Sequence, residues 1–298
     1  MKKVHVFWPS SYVYTQNMDK SRVQGQECGL DFVDHALPCP HPDWPFTAFE
    51  LEQRVHHVQE LLQNPAVSVL WCARGGYGAA ELLPYLDWQQ LQSLEPKVLL
   101  GFSDASALLV ACWTRLGWEC IHAPMPATDS WHARSVGVLP PLLTYLAGSP
   151  AVEYQVSMQL TPVQVVGVHE RVVGRIFGGC FSVLTNLMGT SFLPDDLSEM
   201  ILFLEDTQES PPRLLRYWSQ WKLARRIEQL KGVVVGTLGD ANTAEREQVV
   251  RAMHRLTPEV PFWVSDDFGH HSINKPFAYG RKVEIDVARA VARLFFTA

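Results

Sequence analysis

Three places in this chain hold residues whose types and settings could do chemistry. The first is Ser103, within residues 98–110 (VLLGFSDASALLV). An apolar run stops at Gly101, and Ser103-Asp104 then opens a second apolar segment with helical periodicity that ends near Gly117. The pattern predicts strand, tight turn, helix. A serine at such a corner stands clear of the sheet at a helix N-terminus, where backbone N–H groups can stabilise a negative oxygen. The plainer role for Ser103 is a simple N-cap. The second is Glu205, at the end of the apolar run 200–204, where a carboxylate must be hydrogen-bonded or paired. Its plainer role is a structural ion pair. The third is His270, in the glycine-containing loop 265–271 (SDDFGHH), with His271 as a competitor and Asp206, Asp266 and Asp267 as further orienting acids.

Such a set would work as follows. A serine hydroxyl is a poor nucleophile at neutral pH and needs a neutral imidazole to take its proton. A carboxylate on the other ring nitrogen selects the tautomer and stabilises the imidazolium. Backbone amides then hold the tetrahedral oxyanion. A source of such amides is Arg74-Gly75-Gly76-Tyr77-Gly78, directly after an apolar run at 67–73. Glycines there let backbone N–H groups approach a ligand, although a plain tight turn has the same composition. Neither GxxxxGK[ST] nor GxGxxG occurs, so this is no phosphate loop. RGGYG and GFSD both follow strands of one sheet and share its carboxyl edge, where α/β folds put their sites. Pro9-Ser10-Ser11, after the first strand, occupies the same kind of position.

The elements that must position these residues alternate strand and helix up to about residue 150. Residues 4–8 and 67–73 read as buried strands and 38–46, with four prolines, as an irregular loop. Residues 47–62 read as a helix capped by Thr47 and Glu50, and AAELLPYLDW after RGGYG as another. The alternation predicts a mainly parallel sheet covered by helices on both faces. Helical signals fade between Gly148 and Val168, with breaks at Pro150 and Pro162, which divides the chain into domains 1–155 and 156–298. In the second domain we expect strands at 171–177, 200–204, 233–238 and 262–264. Gly178-Gly179 reads as a turn, and helices are expected at 180–188, from Pro211 to about Lys231, and at 243–256.

Composition narrows the classes. The 298 residues are 47% hydrophobic and 19% charged, with a net charge of −6. Residues 1–160 carry 9 Lys/Arg against 15 Asp/Glu, and the remainder 16 against 16. Neither half is basic, so nucleic acid is not an expected partner. No signal-type N-terminus and no apolar run of roughly 18 residues is present, which predicts a cytoplasmic protein with no membrane span. The six cysteines (Cys28, Cys39, Cys72, Cys112, Cys120, Cys180) form no CxxC pair and read as reduced; the histidines show no HExxH. No metal or other cofactor is expected.

Taken together, RGGYG, GFSD with its helix, GRIFGG at 174–179, LFLED at 202–206, and FGH at 268–270 with the later Gly280 resemble the serine LD-carboxypeptidases. That family also contains the peptidase giving self-immunity to microcin C. The resemblance runs from Pro9-Ser10-Ser11 to Gly280, in the family's order. It implies a flavodoxin-like N-terminal parallel-sheet domain and a smaller C-terminal α/β domain, with the active site in the cleft between them. It implies Ser103 as nucleophile, Glu205 as triad acid and His270 as base. The oxyanion amides would come from Asp104 and from the RGG turn at Gly76. The implied substrate is a murein tetrapeptide, cleaved at the L,D bond to its terminal D-alanine during cell-wall recycling. Its carboxylate needs a cationic partner, for which Arg74 is the candidate. Family members are often homodimers.

Two other functions fit less closely. An immunity or detoxifying peptidase acting on a peptidyl-nucleotide antibiotic would need an aromatic residue to stack a base, and the chain has ten tryptophans. A non-catalytic binding protein would have little reason to keep Ser103, Glu205 and His270 together. The chain departs from the family pattern at Cys180, where Asn is common, at Ala278-Tyr279 before Gly280, and around Trp131 and His132. These changes bear on specificity more than on mechanism.

Overall fold

The computed structural model describes residues 1–12, 18–35, 46–128, 131, 137–148, 154–164, 170–239, 243–270 and 273–296. It forms two compact units, Met1–Val152 and Glu153–Ala298.

In the first unit, β1 (Lys2–Phe7), β2 (Leu30–Asp34), β3 (Val69–Cys72), β4 (Val98–Gly101) and β5 (Glu119–His122) run parallel. Their order is β2-β1-β3-β4-β5, the flavodoxin-like arrangement, with its switch point between β1 and β3. All four residues of β3 are buried, as a strand covered on both faces requires. The helices are α1 (Asp19–Glu27), α2 (Leu51–Gln63), α3 (Ala79–Leu82), α4 (Trp88–Gln92), α5 (Ser106–Leu116) and α6 (Leu139–Leu146).

Two helix predictions for this unit need correction. Helix α2 starts at Leu51 because the Thr47 hydroxyl donates to the Phe49 carbonyl (3.0 Å) and makes a local turn in place of a cap. The helix expected after RGGYG breaks around Pro84 into α3, a 3₁₀ turn at Leu83–Tyr85, and α4. Asp87 caps α4, accepting from the Gln90 amide at 3.0 Å. Of the proline-rich stretch 38–46, all but Phe46 lies outside the described residues.

The second unit contains β6 (Gln155–Gln159), β7 (Thr161–Gln164), β8 (Arg171–Cys180), β9 (Met200–Asp206), β10 (Gly232–Leu238), β11 (Phe262–Val264), the two-residue β12 (Phe277–Ala278), β13 (Lys282–Asp286) and β14 (Val291–Phe295). Eight of these form a mixed sheet in the order β6-β14-β13-β8-β9-β10-β11-β7. Its centre, β8 to β11, is parallel; the flanks are antiparallel. The sequence reading missed β6, β7, β12, β13 and β14. These strands are short, and β6 buries only alternate residues, so none shows the continuous apolar run of β9.

Gly178-Gly179 is not a turn: β8 continues through both to Cys180, in register with Phe203, Leu204 and Glu205. At Gly178 a Cβ would overlap the Phe203 carbonyl, so the pair serves close strand approach. The helices are α7 (Phe181–Asn186), α8 (Pro211–Leu223) and α9 (Thr243–Leu256). Helix α8 stops eight residues short of Lys231 because Arg225 takes a left-handed φ of 54° and the Arg226 amide reaches back to the Trp221 carbonyl (3.0 Å). Its buried face, Leu214, Trp218 and Trp221, packs Trp218 and Trp221 against Phe181 with ring centroids 6.2 Å apart in each case.

Candidate active site

Ser103 sits where β4 leaves the sheet. Its φ is +61°, a left-handed conformation that costs a non-glycine residue about 1–2 kcal/mol. Such strain at a strand-to-helix corner characterises a nucleophile elbow. Ser103 opens the 3₁₀ turn Ser103–Ala105, and the N-cap of α5 is Ala105, without a side-chain cap bond. The simple N-cap role is therefore not the one observed.

The RGGYG turn lies directly against this corner. A Cβ on Gly75 would stand 2.7 Å from Ser103 Cβ, 2.8 Å from its Oγ and 3.2 Å from the Asp104 amide nitrogen, so only glycine fits. Asp104, singled out for its amide, also has a structural side chain. Its buried Oδ2 accepts from the Ala79 amide (2.9 Å) and ties the elbow to the start of α3. Burial raises its pKa, opposed by the bonded amides and by the charge of Arg54.

Arg54 escaped the sequence reading because a single Arg in a helical pattern carries no signal. Buried on α2, it donates to the carbonyls of Pro9 (3.2 Å), Gly78 (2.9 Å) and Phe49 (3.3 Å) and pairs with Glu81 (2.5 Å). It thereby links the loops after β1 and β3 at one edge of the sheet. Arg74, on the same turn, donates to the Tyr12 carbonyl (3.2 Å), and no carboxylate among the described residues pairs with it. Burial lowers its pKa.

In the second unit, Glu205 and His270 meet. Oε2 of the fully buried Glu205 lies 2.5 Å from Nδ1 of His270, whose side chain is 16% exposed. A carboxylate on Nδ1 favours the tautomer with the proton there and leaves Nε2 free of it, able to accept one. The approach depends on Gly269. Its φ is +113°, and a Cβ would meet Glu205 Cβ and the Thr237 amide nitrogen at 3.1 Å. The loop is fixed by two bonds the sequence did not suggest: Gly269 N–H to Asn274 Oδ1 (3.0 Å) and Thr237 N–H to the Phe268 carbonyl (3.2 Å).

The other acids are engaged elsewhere. Asp266 pairs with Arg246 (2.6 Å), and Asp267 pairs with Lys275 (3.0 Å) and accepts from the Gln159 amide (2.7 Å). Asp206 accepts from the amides of Ser182 (2.7 Å) and Thr207 (2.8 Å), anchoring the start of α7. Burial, and then the charge of Glu205, push its pKa up to about 6. His271 lies outside the described residues.

The described positions that depart from the family pattern, Cys180, Ala278, Tyr279 and Trp131, are buried. The Cys180 thiol, its pKa raised by burial, sits 3.5 Å from both Asp206 Oδ1 and Ser182 Oγ. Tyr279 packs on Phe277 and Phe177. Trp131 belongs to the first unit's core, 5.0 Å from Trp71 between ring centroids, with Nε1 donating to Gln24 (2.6 Å). His132 is outside the described residues. Among those residues no group of three His, Cys, Asp or Glu could hold a metal ion, and no helix is long and apolar enough to cross a membrane. Five cysteines are free thiols; Cys39 is not among the described residues.

The first unit thus carries a left-handed serine at the end of β4 and the second a histidine bound to a buried carboxylate, and comparison with known proteins gives the family. Residues 4–123 match the LD-carboxypeptidase N-terminal domain and residues 173–285 the LD-carboxypeptidase C-terminal domain. The murein tetrapeptide carboxypeptidase of Pseudomonas aeruginosa is 30% identical over 301 residues, covering 95% of this chain and 93% of that protein. The microcin C7 self-immunity protein MccF of Escherichia coli is 24% identical over 209 residues, covering 62% of this chain and 60% of that protein. The crystal structure of muramoyltetrapeptide carboxypeptidase from Oxalobacter formigenes superposes with a TM-score of 0.79 at 20% identity, covering 99% of this chain and 98% of that one. The chain belongs to the LD-carboxypeptidase family. It is a hydrolase, a serine LD-carboxypeptidase.

Proposed function

We propose that this enzyme removes the terminal D-alanine from murein tetrapeptides in cell-wall recycling, with Ser103 as nucleophile, His270 as base and Glu205 as its orienting acid. The observation that carries the reading is the 2.5 Å contact between Glu205 and His270 Nδ1. Ser103 Oγ attacks the carbonyl carbon before D-alanine as His270 Nε2 takes its proton. The amides of Asp104 and Gly76 hold the oxyanion. The C–N bond then breaks, His270 returns the proton to the leaving amine, and free D-alanine departs. Water, deprotonated by the same imidazole, hydrolyses the acyl-enzyme. Arg74, with no protein carboxylate on it among the described residues, takes the substrate's terminal carboxylate. No step calls on a metal or a cofactor.

The proposal extends to a cytoplasmic homodimer with the nucleophile on residues 1–155 and the acid and base on 156–298. The acidic balance supports the absence of a nucleic-acid partner. The dimer rests on the family habit. A second reading, an immunity peptidase for peptidyl-nucleotide antibiotics, draws on the likeness to MccF.

The deciding experiment incubates wild type and Ser103→Ala with murein tetrapeptide, with and without EDTA, and follows free D-alanine. Release by wild type, unaffected by chelator and abolished in the variant, is the expected result. A folded wild type that releases nothing sinks the muropeptide substrate, and peptidyl-nucleotides are then tried.

A further inference from the structure

Ser11, in the loop after β1, directs its polar atoms at the glycine turn and at Phe46. Its amide donates to the Gly75 carbonyl (3.3 Å), and its hydroxyl accepts from the Tyr77 amide (3.0 Å) and donates to the carbonyl of Phe46. Gly76 has a φ of +110°, and a Cβ there would overlap Ser11 Oγ, so the turn is pressed onto this serine. The C=O and N–H of a trans peptide point in opposite directions. The bond from Ser11 holds the Gly75 carbonyl on the Ser11 side and turns the N–H of the same unit, that of Gly76, away from it. Gly75 itself abuts Ser103. The Ser11 amide thus holds the carbonyl of the Gly75-Gly76 peptide, and the Ser11 hydroxyl holds the N–H of the next unit, that of Tyr77. Gly76 is pinned from both sides, and its orientation depends on the hydroxyl through the Gly76-Tyr77 peptide.

We infer that Ser11 is a positioning residue for the reaction: it orients the Gly76 N–H toward the developing oxyanion. This rests on the proposed roles of Ser103 and Gly76. The binding of substrate in its ground state involves the oxyanion donor little, so loss of the Ser11 hydroxyl lowers kcat more than it alters KM.

The test compares Ser11→Thr with Ser11→Val. The two side chains have the same shape and place the same extra methyl, and only threonine keeps the hydroxyl. The probe is an aryl-free alkyl fluorophosphonate, which phosphonylates an activated serine: the Oγ–P bond forms, P–F breaks, fluoride leaves and the hydroxyl proton passes to the base. Labelling is read as the mass shift of the Ser103 peptide, with melting temperature followed in parallel. The expected result is labelling of Ser103 at least about tenfold slower in Ser11→Val than in Ser11→Thr, short of the ~10²–10³ lost with a whole oxyanion donor. Both variants should melt within a few degrees of each other. On tetrapeptide, the same gap should appear in kcat with KM nearly unchanged. Equal labelling rates in the two variants would falsify the role of Ser11 while leaving Ser103 labelled. Absence of the adduct from wild-type Ser103 overturns the nucleophile assignment and this inference with it. If both variants unfold at the assay temperature, Ser11 is a folding residue and the positioning role is rejected.

Discussion

Burying a carboxylate as fully as Glu205 costs several kcal/mol in lost hydration, which the contact with His270 must offset. That cost yields an imidazole with one tautomer and one orientation. Replacing Glu205 with Gln keeps size and burial but removes the acceptor charge. We expect kcat for tetrapeptide to fall by about 10³–10⁴ with KM changed little, by analogy with triads that lose their acid. A variant with wild-type kcat and a melting temperature lowered by several degrees would make Glu205 structural. Arg74 invites a different measurement. A Lys at that position keeps the charge but loses the two-pronged geometry. Arg74→Lys should raise KM by about tenfold or more with kcat nearly intact, a loss of the size expected for a charge-assisted pair. An unchanged KM assigns carboxylate recognition to another residue.

At the level of elements, three buried side chains tie the ends of strands and helices to one another. Arg54 holds the loops after β1 and β3, Asp104 joins the elbow to α3, and Asp206 joins the end of β9 to α7. Each makes a bond that no local pattern announces. Asp206 also carries a pH dependence whose sign can be worked out. Its carboxyl titrates near 6 in the fold, above its value in an unfolded chain, so the folded state binds a proton more readily. Its contribution to stability is fullest below the ordinary carboxylate range and declines as pH rises to about 6. Asp206→Asn cannot titrate and lacks that slope. In urea melts, the stability difference between wild type and Asp206→Asn should therefore shift against wild type by on the order of 1–3 kcal/mol between pH 4 and 7. A constant difference over that range would mean that Asp206 titrates normally.

For the whole molecule, the proposed homodimer is tested by sedimentation at micromolar concentration. The expected species has twice the chain mass of 33.6 kDa. A concentration-independent species at the single-chain mass removes the dimer from the proposal and leaves the chemistry of Ser103 untouched.

The sequence by itself determined the layering of the first unit, because strands buried on both faces are continuous apolar runs and their covering helices repeat at helical spacing. It also determined which residue types stand at the carboxyl edge, since a strand followed by GFSD or RGGYG ends there whatever its neighbours do. The antiparallel flank of the second sheet was not legible: β6, β13 and β14 are short, and two of them bury alternate or mixed positions. Only the tertiary structure decided that Glu205, and not Asp206, Asp266 or Asp267, meets His270 across 65 residues of chain. It likewise decided that Gly178-Gly179 is strand, that Ser103 is left-handed, and that Ser11 reaches Tyr77 across 66 residues. The physical reason is common to all of these. Periodicity and turn chemistry act over a few residues, whereas a hydrogen bond between distant segments depends on how strands pair and leaves no trace in the residues nearby.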